Sequence, residues 1–348
     1  MLELCAALLT IVLQAAAPAA RSEFIFEHAP FPSAHASTIV ETRDGLVAAW
    51  FGGTAERNPD VGIWVSRRPS TRLGTGGAAG WSAPVEVANG VQPDGTRHPC
   101  WNPVLFQPRG GPLVLFYKVG PSPSQWWGAA RLSADEGRTW SAAVTLPKGI
   151  LGPIRAKPIE LTPGVMLAGS STEHDGWVVH MERFSGPWTA GSLASAAAWQ
   201  SSAPLNARDT FGAIQPAILV HSPSLIQLLC RSRQRVITEV WSQDGGATWG
   251  PMTATTLPNP SAGIDALRLA DGRFLLVSNP SPSSRQKLEL AISSDGKAWR
   301  SALVLEEEGS GEHSYPAMIQ ARDGAVHLTY TWRRDRIKHV VLDPAVIN

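Results

Sequence analysis

Side chains that could bind an anion and move a proton stand beside strand-like segments of this 348-residue chain. Arg231 ends the apolar run that begins at Leu228, and Arg285 precedes the alternating segment 287–290. Arginine pairs with carboxylates through two parallel N–H groups. His35 is of the residue type that exchanges a proton near neutral pH. If the fold brings these residues together, they would recognise an acidic ligand and catalyse proton transfer on it.

The overall composition argues against several other functions. Thirty Lys and Arg balance 29 Asp and Glu, which leaves a net charge of +1 and no cationic face for nucleic acid or an anionic membrane. Hydrophobic residues make up 43% of the chain and charged residues 17%, as in ordinary globular proteins. Fourteen Trp against three Tyr suits a β-rich protein whose turns pack on indoles, or one that stacks rings on sugars.

Metal and cofactor motifs are not visible in the sequence. His98 with Cys100, and His174 with His180, lack a third partner at ligand spacing. No Gly-rich phosphate loop leads from a strand into a helix, so we expect neither a metal nor a nucleotide cofactor. Cys100 and Cys230 adjoin strand-like residues and are interpreted as buried small hydrophobes, although a disulfide between them stays open.

The N-terminal segment predicts a signal peptide over residues 1–20. Its apolar run over 4–20 ends in small residues, is short for a membrane span and contains Ala17-Pro18-Ala19, which resembles a cleavage site. Glu3 and the absence of Lys or Arg before the run leave a misplaced start or a short anchor as the alternative. We expect a secreted or periplasmic domain over 21–348, without membrane contact after cleavage, and a monomer.

A hairpin unit recurs six times along the remaining chain. Each copy has two apolar strands joined by a turn rich in Gly, Pro or Asp, as hairpin backbone angles require. The turns lie roughly 50 to 65 residues apart, the spacing of four-stranded propeller blades. The hairpins span residues 37–51, 103–118, 158–170, 216–231, 265–278 and 316–331.

A second turn of the form S-x-D-x-G-x-T-W follows most of these hairpins. It is complete at 133–140 and 242–249, is one residue shorter at 293–299, and is marked by Trp81 and Trp188 in two degenerate copies. Its Ser and Asp side chains bond turn amides, Gly supplies the unusual backbone angle and Trp packs below. We assign these residues a structural role.

This turn is the Asp-box, and from residue 23 to 348 the chain resembles the sialidase (neuraminidase, BNR-repeat) superfamily. The resemblance implies an all-β, six-bladed β-propeller. The sixth unit shows three strands, ending near Leu342, so we expect the N-terminal strand Glu23–Phe26 to supply the fourth and close the ring.

The hairpin geometry predicts which residues share one rim of the propeller. The start of the first strand, the end of the second and the loop to the third all lie at the same end of a blade, and such loops usually carry function. Among the residues of this rim, Glu173 and His174 are interpreted as surface loop. The others that matter here are His35, Glu56, Arg57, Asp60, His98, Trp101, Asn102, Lys118, Trp126, Trp127, Arg155, Lys157, Gln215, Arg231, Arg233, Asp265, Arg285, Glu312, Tyr315, Arg333 and Arg334.

The resemblance also implies roles for individual residues. Arg231 and Arg285 match two of the three arginines that hold the sugar carboxylate in sialidases. Tyr315 matches the nucleophile, and Asp60 the acid.

Two positions depart from the sialidase pattern. His35-Ala36-Ser37 stands where Arg-Ile-Pro is expected, and Gln215 replaces the Glu that pairs with the nucleophile. A tyrosine is a poor nucleophile at neutral pH without a base, so we expect Glu312 to take that part.

Three functions therefore compete. The first is an exo-acting, sialidase-like glycoside hydrolase for a terminal acidic sugar. The second is a lyase for uronic acids, similar to rhamnose-glucuronate-cleaving propellers with one catalytic His. In this lyase, His35 or Tyr315 would abstract a proton while Arg155 or Lys157 helps to neutralise the carboxylate. The third is a non-catalytic glycan-binding propeller with Trp101, Trp126 and Trp127 as stacking surfaces. We count Gln215, Trp101, Asn102 and Trp127 among the substrate-binding candidates, with an acidic glycan as the partner.

Overall fold

The computed structural model describes residues 20–70, 80–307 and 309–347. Residues 1–19 of the predicted signal peptide lie outside this part of the chain. The first twelve strands are β1 (Ala20–Phe24), β2 (Ser33–Thr42), β3 (Gly45–Gly53), β4 (Gly62–Pro69), β5 (Val85–Ala88), β6 (Cys100–Phe106), β7 (Leu113–Val119), β8 (Trp127–Ser133), β9 (Val144–Thr145), β10 (Ile159–Thr162), β11 (Val165–Thr172) and β12 (Val178–Ser185).

One short helix, α1 (Ala190–Ala194), and a 3₁₀ turn at Ala196–Ala198 precede the second half of the chain. No helix in the described ranges has the length and apolarity needed to cross a membrane. The remaining strands are β13 (Trp199–Ser201), β14 (Ala213–Val220), β15 (Ile226–Ser232), β16 (Val236–Ser242), β17 (Thr253–Pro258), β18 (Asp265–Arg268), β19 (Phe274–Ser278), β20 (Leu288–Ser293), β21 (Arg300–Glu306), β22 (His313–Gln320), β23 (Val326–Trp332) and β24 (Arg336–Leu342).

These strands form six antiparallel, four-stranded sheets, which confirms the six-bladed propeller. Blades one to five each contain four consecutive strands, from β2–β5 to β18–β21. The sixth blade has the order β22-β23-β24-β1, so the N-terminal strand closes it as expected. That strand begins at Ala20, earlier than predicted, and pairs in register from Ala20 opposite Leu342 to Phe24 opposite Lys338.

Six hydrophobic clusters of the described residues lie between neighbouring blades. The cluster between blades six and one contains Phe26, Trp50 and Ile337, and the rings of Phe26 and Trp50 stack 5.0 Å apart. Burying apolar surface at every interface favours the closed ring. Cys100 and Cys230 are buried, unpaired and belong to different blades.

The Asp-boxes have the predicted structural role. The Asp244 carboxylate accepts hydrogen bonds from the Thr248 amide at 2.8 Å and hydroxyl at 2.5 Å, and Asp135 bonds Thr139 in the same way. The Thr248 hydroxyl and amide lower the pKa of Asp244 to about 2. These turns join the third and fourth strands of their blades.

A bulge recurs at the start of the innermost strand in four blades. The pairing register shifts there in blades one, two, four and six. A non-Gly residue with positive φ occupies each bulge: Ala36 (57°), Asn102 (38°), Gln215 (57°) and Tyr315 (53°). Such angles are strained for L-residues and concentrate at functional sites.

Candidate active site

Tyr315 is the centre of a cluster on the propeller axis. Guanidinium carbons of Arg155, Arg231 and Arg285 lie 5.3, 5.6 and 5.9 Å from the centroid of its ring. The imidazole of His35 lies 4.2 Å away, centroid to centroid. Tyr315 belongs to blade six, and the other residues come from blades one, three, four and five. The ring therefore brings together the residues that the sequence predicted to share a pocket: His35, Arg231, Arg285 and Tyr315.

Arg231, at the end of β15, binds the phenol directly. Its Nη1 donates to the Tyr315 hydroxyl at 2.5 Å and to Gln215 Oε1 at 3.3 Å, and its guanidinium lies 5.0 Å from the Trp177 ring centroid. Arg231 is 7% exposed. No carboxylate within the described chain forms an ion pair with it, so its charge is available to an anionic ligand.

Glu312 is engaged by cations rather than by Tyr315. Its Oε1 accepts from Arg334 Nε at 2.9 Å and Ser314 Oγ at 2.7 Å. Its Oε2 lies 3.5 Å from Arg285 Nη1. The expectation that Glu312 acts as the base for Tyr315 is therefore not supported by these contacts.

His35 is a buried, neutral imidazole. It is 2% exposed, its Nδ1 lies 2.9 Å from Thr331 Oγ1 and 3.7 Å from the Glu312 carboxylate. Burial, and after it the positive charges of four surrounding arginines, hold the pKa of His35 well below 6.5. His35 is thus deprotonated at physiological pH and contributes no charge to anion binding.

Arg155 and Lys157 connect blade three to other blades. Arg155 Nη1 donates to the Ile264 carbonyl at 2.5 Å and Nη2 to the Pro316 carbonyl, and burial lowers the pKa of Arg155 to about 10. Lys157 Nζ lies 2.9 and 2.8 Å from the two oxygens of buried Asp265. Both cations are therefore assigned to positioning, in place of the direct carboxylate contact predicted from the sequence.

Trp101 and Trp127, two of the aromatic candidates of blade two, are packing residues. Trp101 is 2% exposed and donates from Nε1 to the Gly120 carbonyl at 2.8 Å. The prediction that its ring stacks on a sugar is therefore wrong. Trp127 packs edge-on against His98, with centroids 5.6 Å apart, and against the core. Asn102 is also buried.

The Asp60 carboxylate is hydrogen-bonded within its own loop. Its two carboxylate oxygens accept from the amide and the hydroxyl of Thr54, both at 2.8 Å. These bonds hold the carboxylate on blade one, and its role as the acid stays a prediction.

The loop between β11 and β12 contributes residues that sequence reasoning missed. Trp177 lies under both Arg231 and Arg233, with guanidinium carbons 5.0 and 4.5 Å from its centroid. Both Glu173 and His174 were expected in a surface loop. His174 is exposed, but Glu173 is half-buried. Burial, opposed by Arg231, raises the pKa of the Glu173 carboxyl. The rim position of this loop was visible in the sequence, but its packing was not.

Within the described ranges, no group of three or more His, Cys, Asp or Glu side chains is arranged so that it could hold a metal ion.

A family model and several solved structures resemble this chain. A family model described as a BNR repeat-like domain matches residues 44–328. No curated protein matches the sequence.

Solved structures show the same fold at low identity. A protein of unknown function from Dyadobacter fermentans is 17% identical, with a TM-score of 0.72 over 94% of this chain and 100% of that chain. The Hadza microbial sialidase Hz136 is 16% identical, with a TM-score of 0.74 over 91% and 66% of the two chains. The NanB sialidase from Streptococcus pneumoniae is 11% identical, with a TM-score of 0.71 over 94% and 71%.

Proposed function

The chain belongs to the BNR repeat-like domain family, and on this premise we propose that it is a glycosidase that removes a terminal carboxylate-bearing sugar from a glycan. One observation carries the proposal: Arg231, which no carboxylate pairs in the described chain, donates to the Tyr315 hydroxyl at the hub of the ring. The likeness to sialidase structures supports the fold on which this site is built. Fold alone does not decide the chemistry, so the site residues carry the rest.

Arg231 and Arg285 form the carboxylate-binding side of the proposed site. Both guanidinium groups lie within 6 Å of the same aromatic ring, so one carboxylate next to Tyr315 can reach both. Charge-assisted bonds from arginine to carboxylate are short and directional. They would fix the sugar with its anomeric carbon at the phenol oxygen.

Tyr315 supplies the nucleophile in this proposal. The phenol releases its proton to water, and the resulting phenolate is paired with the Arg231 cation. The phenolate oxygen attacks the anomeric carbon while the glycosidic C–O bond breaks, and water later displaces the tyrosine. Preorganised positive charge at the point where negative charge develops is the main contribution of such sites.

A lyase is the second candidate, and two observations favour it. No carboxylate of the described chain contacts the Tyr315 hydroxyl, and the neutral His35 imidazole packs against the same ring. A neutral imidazole can accept a proton. It would take the proton from the carbon beside the carboxylate of a uronic acid, whose negative charge the arginines would neutralise, as the leaving oxygen departs.

Product analysis separates these functions. The protein would be incubated with 4-methylumbelliferyl α-sialoside, 4-methylumbelliferyl β-glucuronide and a rhamnose-glucuronate disaccharide, with 4-methylumbelliferyl β-galactoside as the neutral control. Release of the free acidic sugar supports the hydrolase, and an ultraviolet-absorbing unsaturated uronate supports the lyase. Glycan binding without cleavage of any acidic substrate would overturn both and leave a binding protein.

The place of action is part of the proposal. The segment 1–20 has the pattern of a signal peptide, so we propose that the enzyme acts on glycans outside the cytoplasm. Fractionation of cells that express the full chain tests this, and intact protein confined to the cytoplasm would contradict it.

A further inference from the structure

The Glu173 carboxylate has no role in the site as described so far. It directly follows β11, in the loop that leads to β12, and it is half-buried. Within the described ranges no ion pair engages it. The other two carboxylates considered for catalysis are occupied: Glu312 by Arg285 and Arg334, and Asp60 by Thr54.

Two residues that flank Glu173 in the sequence, Ser171 and Trp177, contact residues around Tyr315. Ser171 Oγ accepts from the Gln215 amide of the next blade at 3.3 Å. Glu173 lies two residues after Ser171, just past the end of β11. Arg231 Nη1 donates both to Gln215 and to Tyr315.

The loop is held in place on the same arginine. Trp177, four residues after Glu173, packs against Arg231 and Arg233. The charge of Arg231, a hydrogen bond with the Trp177 side chain and the charges of Arg233 and Arg57 all act to lower the pKa of the Glu173 carboxyl. Burial nevertheless outweighs these effects and raises the pKa of Glu173, the direction that favours the protonated form of a general acid.

We infer that Glu173 is the general acid that protonates the departing sugar oxygen, a catalytic role that rests on the proposed glycosidase function. The Glu173 proton moves to the glycosidic oxygen as that oxygen takes the electron pair of the breaking C–O bond. The leaving sugar departs as an alcohol and Glu173 becomes a carboxylate. In the second step the carboxylate takes a proton from water, whose oxygen attacks the anomeric carbon and returns an electron pair to the Tyr315 oxygen.

Leaving-group dependence in Glu173→Gln tests this role. An aryl group such as 4-methylumbelliferone departs with little help from an acid, whereas the lactose of 3′-sialyllactose needs a proton. We expect kcat/KM for sialyllactose to fall about 100- to 10,000-fold and kcat/KM for the aryl sialoside to fall less than about 10-fold. If the native protein prefers uronides, the aryl glucuronide and the rhamnose-glucuronate disaccharide form the pair.

The controls keep the outcomes distinct. Asp175→Asn changes an exposed carboxylate of the same loop that pairs with Arg208, and it should leave both kcat/KM values unchanged. The melting temperature of Glu173→Gln verifies folding. Equal losses on both substrates, or no loss on either, would overturn the acid role, while failure of the native protein to cleave any acidic glycoside would overturn the proposed function itself.

Discussion

At the residue scale, the environment of Tyr315 separates residues that meet a ligand from those that hold the cluster together. Arg231 donates a hydrogen bond to the phenol, and no carboxylate of the described chain pairs with its charge. Arg155 instead donates its hydrogen bonds to two backbone carbonyls. Both are arginines on the same rim, and nothing in the sequence around them distinguishes the two roles. The difference arises from the groups of other blades that meet each guanidinium.

The planar fork of Arg231 should matter beyond its charge. Arg231→Lys keeps a cation but loses the planar fork of five N–H groups that can bind a carboxylate through two parallel bonds while also bonding Tyr315 and Gln215. We expect kcat/KM for the acidic substrate to fall at least about 100-fold, with the melting temperature little changed. Steady-state kinetics provide the measurement, and Arg300→Lys on the exposed face of β21 is the matched control. Near-native activity in Arg231→Lys would show that the carboxylate-binding role is misassigned.

At the scale of elements, local chemistry explains why the fold could be predicted and the site only partly. Hairpin turns and Asp-boxes are specified by adjacent residues, so the blade count followed from the sequence. The burial of Trp101, the neutral state of His35 and the half-burial of Glu173 depend on contacts between blades that are distant in sequence. The left-handed bulge at Tyr315 also has no local signal apart from the proline that follows it.

The Asp-box should stabilise a blade without touching the site. Asp244→Ala removes the acceptor of the Thr248 bonds and should lower the melting temperature while kcat/KM stays within twofold of native. Calorimetry and kinetics on one preparation check this, with Asp271→Ala, in a hairpin turn of blade five, for comparison. A large loss of kcat/KM in folded Asp244→Ala would contradict a purely structural role.

At the scale of the whole molecule, the ring is closed by a partly buried polar cluster as well as by apolar packing. His339 of β24 lies 2.9 Å from Glu23 of β1 and 3.0 Å from His327 of β23. The two imidazoles stack 5.2 Å apart. Arg68 and Trp81 of blade one reach the same carboxylate. Strands β24 and β1 of the sixth blade therefore contact the first blade through side chains that include titratable groups.

Acid should weaken this closure. Burial, then the charge of His339, lowers the pKa of His327 to about 4, and burial lowers the pKa of His339. The unfolded chain takes up these protons near pH 6.5, before the folded chain does. Stability is therefore fully retained above about pH 6.5 and falls as the pH drops toward 4, by at most about 1.4 kcal/mol per pH unit for each proton.

His327→Gln isolates that contribution. The variant should show a shallower loss of unfolding free energy between pH 6.5 and 4.5 than the native protein. Urea titrations across this range measure it, and His28→Gln, at an exposed position, is the control. Parallel curves for native protein and His327→Gln would contradict this account of the closure.

The central claim is that Tyr315, held by Arg231 at the hub of the ring, performs the chemistry. Tyr315→Phe removes a single oxygen and retains the ring around which His35 and the arginines pack. The decisive measurement is kcat/KM of this variant on the acidic glycoside that the native protein cleaves. We expect a loss of at least about 100-fold with an unchanged melting temperature, and a folded Tyr315→Phe protein with native turnover would show that Tyr315 does not perform the chemistry.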